Sequence, residues 1–217
     1  MADGEIILLP AIVEGRMADL EPPLIVGLGG TPRPSSTTER ALRISLRAAE
    51  TAGAATELIT GPDLVMPMYV PGGTDHSPEG GRLVDLFRRC DGLIIASPAY
   101  HGSVSGLVKN ALDYIEDLRS DERIYLDGLA VGLIACAAGW QGAGQTLGTL
   151  RGIVHALRGW PTPLGATLNS SAPLFDEAGE CVDLSTKFQL DTVGRQVVEF
   201  ARMRRNAFRY SGELSAA

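Results

Sequence analysis

Apolar residues gather in five short runs: Leu24 to Gly29 (LIVGLG), Ala55 to Ile59, Gly92 to Ser97 (GLIIAS), Leu129 to Ala135 and Leu164 to Leu168. The strongest are unbroken and closed by glycine or a small polar residue. That pattern predicts strands buried on both faces, as in a parallel sheet covered by helices. Between the runs, apolar residues recur at helical spacing. A helix is expected over Glu39 to Ala52, with Thr37 or Thr38 as its N-cap. A second covers Glu79 to Cys90, with Leu83, Leu86 and Phe87 as its stripe, and a third covers Gly106 to Leu118, with Val108, Ala111, Leu112 and Ile115. A glycine-rich loop, Gly139 to Gly144, leads into a fourth that ends near Arg158. The last spans Thr186 to Asn206 on Leu190, Val193, Val197 and Phe200. Gly61 to Gly80 reads as irregular, and Glu116 to Arg123 as a mixed-charge turn. Five strands alternating with five helices place the chain in the α/β class.

Composition narrows the possibilities. With 217 residues, 45% of them hydrophobic and 21% charged, the chain has the makings of one folded domain and not of a disordered or fibrous protein. A net charge of -7 argues against a nucleic-acid binder or a protein that clings to anionic membranes. Cys90, Cys136 and Cys181 are odd in number and widely spaced, without a CxxC, so neither a disulfide framework nor a metal site is expected. No apolar run approaches the ~20 residues of a membrane span. The stretch Ile6 to Val13 follows Asp3 and Glu5 rather than a basic segment, which makes a poor signal peptide. The expectation is a cytoplasmic protein with an N-terminal arm over 1–23, ending at Pro22-Pro23, a single domain over 24–210 and a C-terminal tail over 211–217.

Open parallel sheets bind ligands beyond the carboxyl ends of their strands, where the strand order reverses. With the order 2-1-3-4-5, that point falls between the first and third strands, which end in the two most unusual loops. Gly30 to Thr38 offers the hydroxyls of Ser35, Ser36, Thr37 and Thr38 at a helix N-terminus, with Arg33 beside them, a composition suited to a phosphate. An ordinary N-cap with spare hydroxyls accounts for it equally well. It is neither a Walker A sequence nor GxGxxG. The second loop, Pro98 to Ser103, combines a proline, an aromatic ring and a glycine, and can lay backbone amides against a flat ligand.

Ser97 to Leu118, SPAYHGSVSGLVKNALDYIEDL, resembles the signature of the NADPH-dependent FMN reductase family, whose usual form is SPEYNGSxPGxLKNALDWL. GGTPRPSSTTERAL, Gly29 to Leu42, resembles that family's phosphate loop, GSxRxxSxNxxLA. LVMPMYVPGG, Leu64 to Gly73, resembles its DLPLYxPD segment, and Gly139 to Leu157 its later glycine loop and helix. The resemblance implies a flavodoxin-like three-layer sandwich, a five-stranded parallel sheet of order 2-1-3-4-5 with helices on both faces, binding FMN and using NADPH or NADH. Carried over by position, Thr31, Arg33, Ser35, Ser36, Thr37 and Thr38 would hold the phosphate. Pro98, Ala99, Tyr100, His101, Gly102 and Ser103 would line the ring, and Gly139, Trp140 and Gly142 would face it from the neighbouring loop. The KNALD helix, Lys109 to Asp113, would support the loop and a dimer contact, so a homodimer or homotetramer is implied.

The sequence departs from the family pattern at Ala99 (usually glutamate), His101 (asparagine), Ser105 (proline), Trp140 and Gln141 (glycine and arginine), in the arm and in the Phe175–Thr186 insertion. Most of the changes lie near the expected substrate face. The leading expectation is an NAD(P)H-dependent FMN or quinone reductase working by hydride transfer through flavin N5, or supplying reduced flavin to a partner oxygenase. An alternative is an FMN-dependent dehydrogenase oxidising a small biosynthetic intermediate, for example 2-amino-2-desoxyisochorismate to an anthranilate, with Ala99 leaving room for an anionic substrate. A flavodoxin-type carrier is a third reading, opposed by the scattered acids. His101 is the candidate catalytic proton donor, because an imidazole titrates near neutrality, with an ordinary exposed loop histidine as the other reading. Trp140 reads as a lid over the ring or as an interface aromatic, the lid being favoured. His76, His155 and Cys136 read as structural, and the arginines of the last helix as a solvated face.

Overall fold

The computed structural model describes residues 21–73 and 76–215. Most of the expected N-terminal arm, and the last two residues of the expected tail, lie outside the described residues.

In chain order the elements are β1 (Leu24–Gly29), α1 (Thr37–Thr51), β2 (Ala55–Ile59), α2 (Pro78–Arg89), β3 (Gly92–Tyr100), β4 (Ser103–Val104), α3 (Gly106–Asp113), β5 (Ala130–Ala137), α4 (Trp140–Ala156), β6 (Trp160–Pro161), β7 (Ala166–Asn169) and α5 (Leu184–Ser215). Tight 3-10 turns cover Gly61–Leu64 and Tyr114–Ser120. The sheet runs β2-β1-β3-β5-β6, with β7 also on β5 and β4 folded back on β3. All its pairings are parallel except β3 with β4.

Each central strand sends alternate side chains into two separate cores, which is why its sequence is apolar throughout. Val26, Leu28, Leu93, Ile95, Val131 and Leu133 pack with Leu83, Leu86 and Phe87 of α2, Val108 and Leu112 of α3, and Leu150 and Val154 of α4. Ile25, Ile94, Ala96, Ala130 and Ile134 pack on the other face with Leu42 and Ile44 of α1 and Leu190, Val193 and Val197 of α5. These are the three layers of a flavodoxin-like sandwich. Helices α1 and α5 approach so closely that a Cβ on Gly194 would sit 2.1 Å from the Ser45 carbonyl oxygen.

The expected five strands become seven. The expected fifth strand, Leu164 to Leu168, forms as β7 against the end of β5, and an unexpected short β6 before it pairs with the start of β5. Pro161, at the end of β6, and Pro163, between the two strands, lack the N–H that a continuous ladder requires. Arg151 clamps the interruption, donating to the Thr162 and Pro163 carbonyls at 3.4 and 3.2 Å. The last helix runs beyond the expected Asn206, to Ser215. Its arginines are not merely solvated. Arg205 makes a two-pronged contact with Asp91 (2.9 and 2.6 Å), and the same carboxylate accepts the Leu24 amide at 2.8 Å. The bundle thereby fixes α5 to the start of β1.

Candidate functional site

Loop by loop, the sheet register gathers the site at its carboxyl edge. Gly29 pairs with Ala96, Pro98 with Cys136, and Cys136 with Leu168. The segments leaving β1, β3, β5 and β7 therefore emerge side by side.

After β1 the chain turns through Ser35, whose φ is 54°. Helix α1 is capped by Ser36, one position before the expected Thr37 or Thr38. The Ser36 hydroxyl accepts from the Glu39 amide at 3.3 Å, and the Glu39 carboxylate reaches back to the Ser35 amide at 3.1 Å. This reciprocal arrangement is a variant of the capping box. Arg43 also engages the Glu39 carboxylate, at 2.9 and 2.8 Å, and offsets its charge. The Thr37 and Thr38 amides have no acceptor among the described residues. A cleft of about 300 Å³ lies in front of them, lined by Arg33, Ser35, Thr37, Arg40 and residues 172–175. Neither Arg33 nor Arg40 has a carboxylate partner among the described residues.

The expected phosphate ligands thus separate. Arg33, Ser35 and Thr37 line the cleft. Ser36 and Thr38 are buried, with the Ser36 hydroxyl spent on the cap and the Thr38 hydroxyl beside the Cys136 thiol. Thr31 closes a small turn on the Arg33 amide at 3.2 Å. Arg40 and the 172–175 segment are additions that the motif did not single out. Only the position of Arg40, one helical turn past Ser36, could have signalled it.

The expected second loop is a hairpin. Strand β3 continues to Tyr100, turns at His101 and Gly102 with φ of 53° and 79°, and returns as β4. Two positive φ values mark a two-residue turn of the mirror-image kind, in which Asn-Gly is the favoured pair. The hairpin is pinned from inside: the buried Ser97 hydroxyl accepts the Ser105 amide at 3.0 Å, and Ser105 caps α3. In the KNALD stretch, buried Asn110 accepts the Tyr69 amide at 2.9 Å and donates to the Pro67 carbonyl at 3.0 Å, so α3 holds the 66–69 segment. His76 is structural as expected, paired with Asp117, which also accepts from Tyr69 at 2.8 Å. Burial first, then that hydrogen bond, push the Tyr69 hydroxyl up to about 12.

The expected glycine loop is helical from Trp140 onward, with Gly139 at its N-cap. A Cβ on Gly102 would lie 3.2 Å from Gln145, and one on Gly142 would lie 3.9 Å from the Ala99 Cβ. The hairpin and the start of α4 therefore touch across small residues. The Tyr100 and Trp140 rings remain 55% and 62% exposed. Ser170 and Ser171 tie the return segment to the end of β5, each through a 2.7 Å bond to the 137–138 backbone. Burial pushes the Cys136 thiol up to about 12, so it is no nucleophile.

Unshared amides and two cations around a cleft suit a phosphate. A backbone hairpin flanked by exposed rings suits a flat ring system. The residues present therefore fit the cofactor that the resemblance implies.

Over residues 23–172 the sequence matches the family described as NADPH-dependent FMN reductase. It is 37% identical over 100 residues to an FMN-dependent NADPH-azoreductase of Staphylococcus aureus, covering 46% of this chain and 50% of that protein. An iron-sulfur flavoprotein of Methanocaldococcus jannaschii is 29% identical over 104 residues, covering 44% and 53%. The chain thus spans about half the length of these relatives. Among solved structures, FerB, a flavoenzyme NAD(P)H:(acceptor) oxidoreductase from Paracoccus denitrificans, superposes with a TM-score of 0.70 at 19% identity, covering 83% of this chain and 98% of that one. RosB with a bound riboflavin-phosphate intermediate also gives 0.70, at 18% identity, covering 89% and 86%. At such identities the likeness speaks for the fold.

Proposed function

The chain belongs to the NADPH-dependent FMN reductase family, and from that premise we propose that it is an FMN-dependent oxidoreductase. It takes reducing equivalents from NADPH or NADH and passes them to a small acceptor such as a quinone or a free flavin. The observation that carries this reading is the side-by-side placement of the cationic cleft before α1 and the β3–β4 hairpin, the two segments that bear the family motifs. When bound, FMN supplies hydride chemistry at N5.

Everything else falls to this chain's residues. Arg33 and the Thr37 and Thr38 amides bind the phosphate. The backbone from Pro98 to Ser103 supports the ring edge, with Gly139, Trp140 and Gly142 on its other border. The exposed Tyr100 and Trp140 rings would shield a bound ring system from water. His101, exposed at the hairpin tip, holds at an imidazole nitrogen the proton that a reduced acceptor takes up.

Steady-state turnover with an added quinone, followed by the loss of reduced nicotinamide, tests this reading. At least one of NADPH and NADH should support turnover dependent on FMN. In the same assay His101→Asn should lower kcat/KM for the quinone by about tenfold or more. FMN affinity should be unchanged and the melting temperature equal or higher, because asparagine suits a positive φ. An unaltered kcat/KM would take the proton role away from His101.

Failure of both nicotinamides, with FMN bound, would favour an FMN-dependent dehydrogenase that oxidises a small biosynthetic intermediate. Ala99, where the family usually carries glutamate, adds no negative charge beside the ring to repel an anionic substrate. The reading also takes residues 24–210 as one FMN-binding domain in the cytoplasm, assembled as a homodimer or homotetramer. Supply of reduced flavin to a partner oxygenase is its other possible use.

A further inference from the structure

The family match stops at residue 172. The chain then builds a small hairpin. The Val182 amide donates to the Leu174 carbonyl and the Asp176 amide to the Glu180 carbonyl, both at 2.9 Å. Gly179 and Glu180 close the turn on Asp176, through its carbonyl at 3.1 Å and its carboxylate at 2.8 Å. Leu174 roots the hairpin in the core beneath α1 and α5. Two arginines of α1, seven residues apart and so on one face of the helix, hold it down. Arg40 donates to the Asp176 carbonyl at 3.1 Å, and Arg47 meets both oxygens of the Glu180 carboxylate at 3.0 Å.

For Arg40 the contact is asymmetric. A bond to a carbonyl orients its guanidinium without neutralising the charge. The same side chain borders the cleft of about 300 Å³ that it shares with Arg33, Ser35 and Thr37. Its remaining donors match phosphate oxygens, and an arginine already fixed at one nitrogen loses less freedom when it binds.

We propose that Arg40, positioned by the hairpin 174–182, acts beside Arg33 as a second residue by which this chain discriminates a flavin carrying a phosphate monoester from its dephosphorylated form. The inference rests on the FMN reading and goes past it, because it gives a specificity role to a segment outside the family-matched region.

The test is quenching of flavin fluorescence by the apoprotein, with FMN and riboflavin as separate probes. The unaltered chain should bind FMN more tightly than riboflavin. Arg40→Gln should weaken FMN by about 10- to 100-fold and riboflavin by no more than about twofold. A second variant, with Gly-Gly in place of Asp176 to Glu180, should weaken FMN in the same selective way. Combining the two should add little to either alone, because both act through one guanidinium. Circular dichroism checks that each variant is folded. Equal losses for both flavins, no loss in Arg40→Gln, or effects that multiply in the double variant would overturn the proposal. Binding of neither flavin by the unaltered chain would instead overturn the FMN reading, and this inference with it.

Discussion

Replacing Gly29 with valine is expected to lower the stability of the fold by about 3 kcal/mol or more. Gly29 ends β1 at a φ of +150°, against the centre of the sheet. A Cβ there would lie 2.0 Å from the Ala96 carbonyl oxygen and 2.8 Å from its carbon. Backbone on the neighbouring strand β3 cannot yield as a flexible side chain would. Overpacking and backbone strain each cost about 1–3 kcal/mol, and here they add at one residue. Against a typical total of about 5–15 kcal/mol, the urea midpoint should fall sharply. Gly106→Ala is the matched control. It lies at the start of α3 with nothing near its added Cβ, so its midpoint should hold or rise. Equal midpoints for Gly29→Val and the unaltered chain would mean that β1 and β3 are not paired in this register.

Arg33→Ala is expected to weaken FMN binding by about 10- to 150-fold, with riboflavin changed by less than about threefold. Hydrogen bonds from a charged donor contribute about 1.5–3 kcal/mol, and that range converts to the stated factor. Arg33 is exposed in the folded chain and makes no ion pair among the described residues, so its loss should leave the melting temperature unchanged. Equilibrium titration of the apoprotein with the two flavins measures the difference directly. Equal weakening of both would show that Arg33 meets the ring rather than the phosphate.

The four strongest strands, the two faces of the sheet and the site's position at its carboxyl edge were legible in the chain, because unbroken apolar runs have few other uses. Where the reading slipped, a tertiary contact decided the outcome. Residues 139–144 look like a loop for their glycines, yet α4 forms there because Ala143, Thr146, Leu150 and Val154 make a buried stripe against the sheet. Ser36 takes the cap from its threonine neighbours because Glu39 stands three residues on and completes the reciprocal pair. The weak run Leu164 to Leu168 marks β7 but carries no sign of β6, a two-residue strand that Pro161 and Pro163 cut off before it. The departure of His101 from asparagine was visible, but only the folded hairpin shows it at a positive φ, where a non-glycine residue is strained. Nothing local could reveal that residues 172–175 close the cleft in front of Arg33. They are distant in sequence and meet it only through the pairing of β5 with β7.

The central claim, that this chain draws electrons from a reduced nicotinamide through bound FMN, is tested most directly by anaerobic rapid mixing. FMN-loaded protein is mixed separately with NADPH and NADH, and the visible absorbance of the flavin is followed. Fast loss of that absorbance with at least one donor, at a rate that saturates with donor concentration, is the predicted result. Absorbance that persists with both donors, while FMN stays bound, would contradict it.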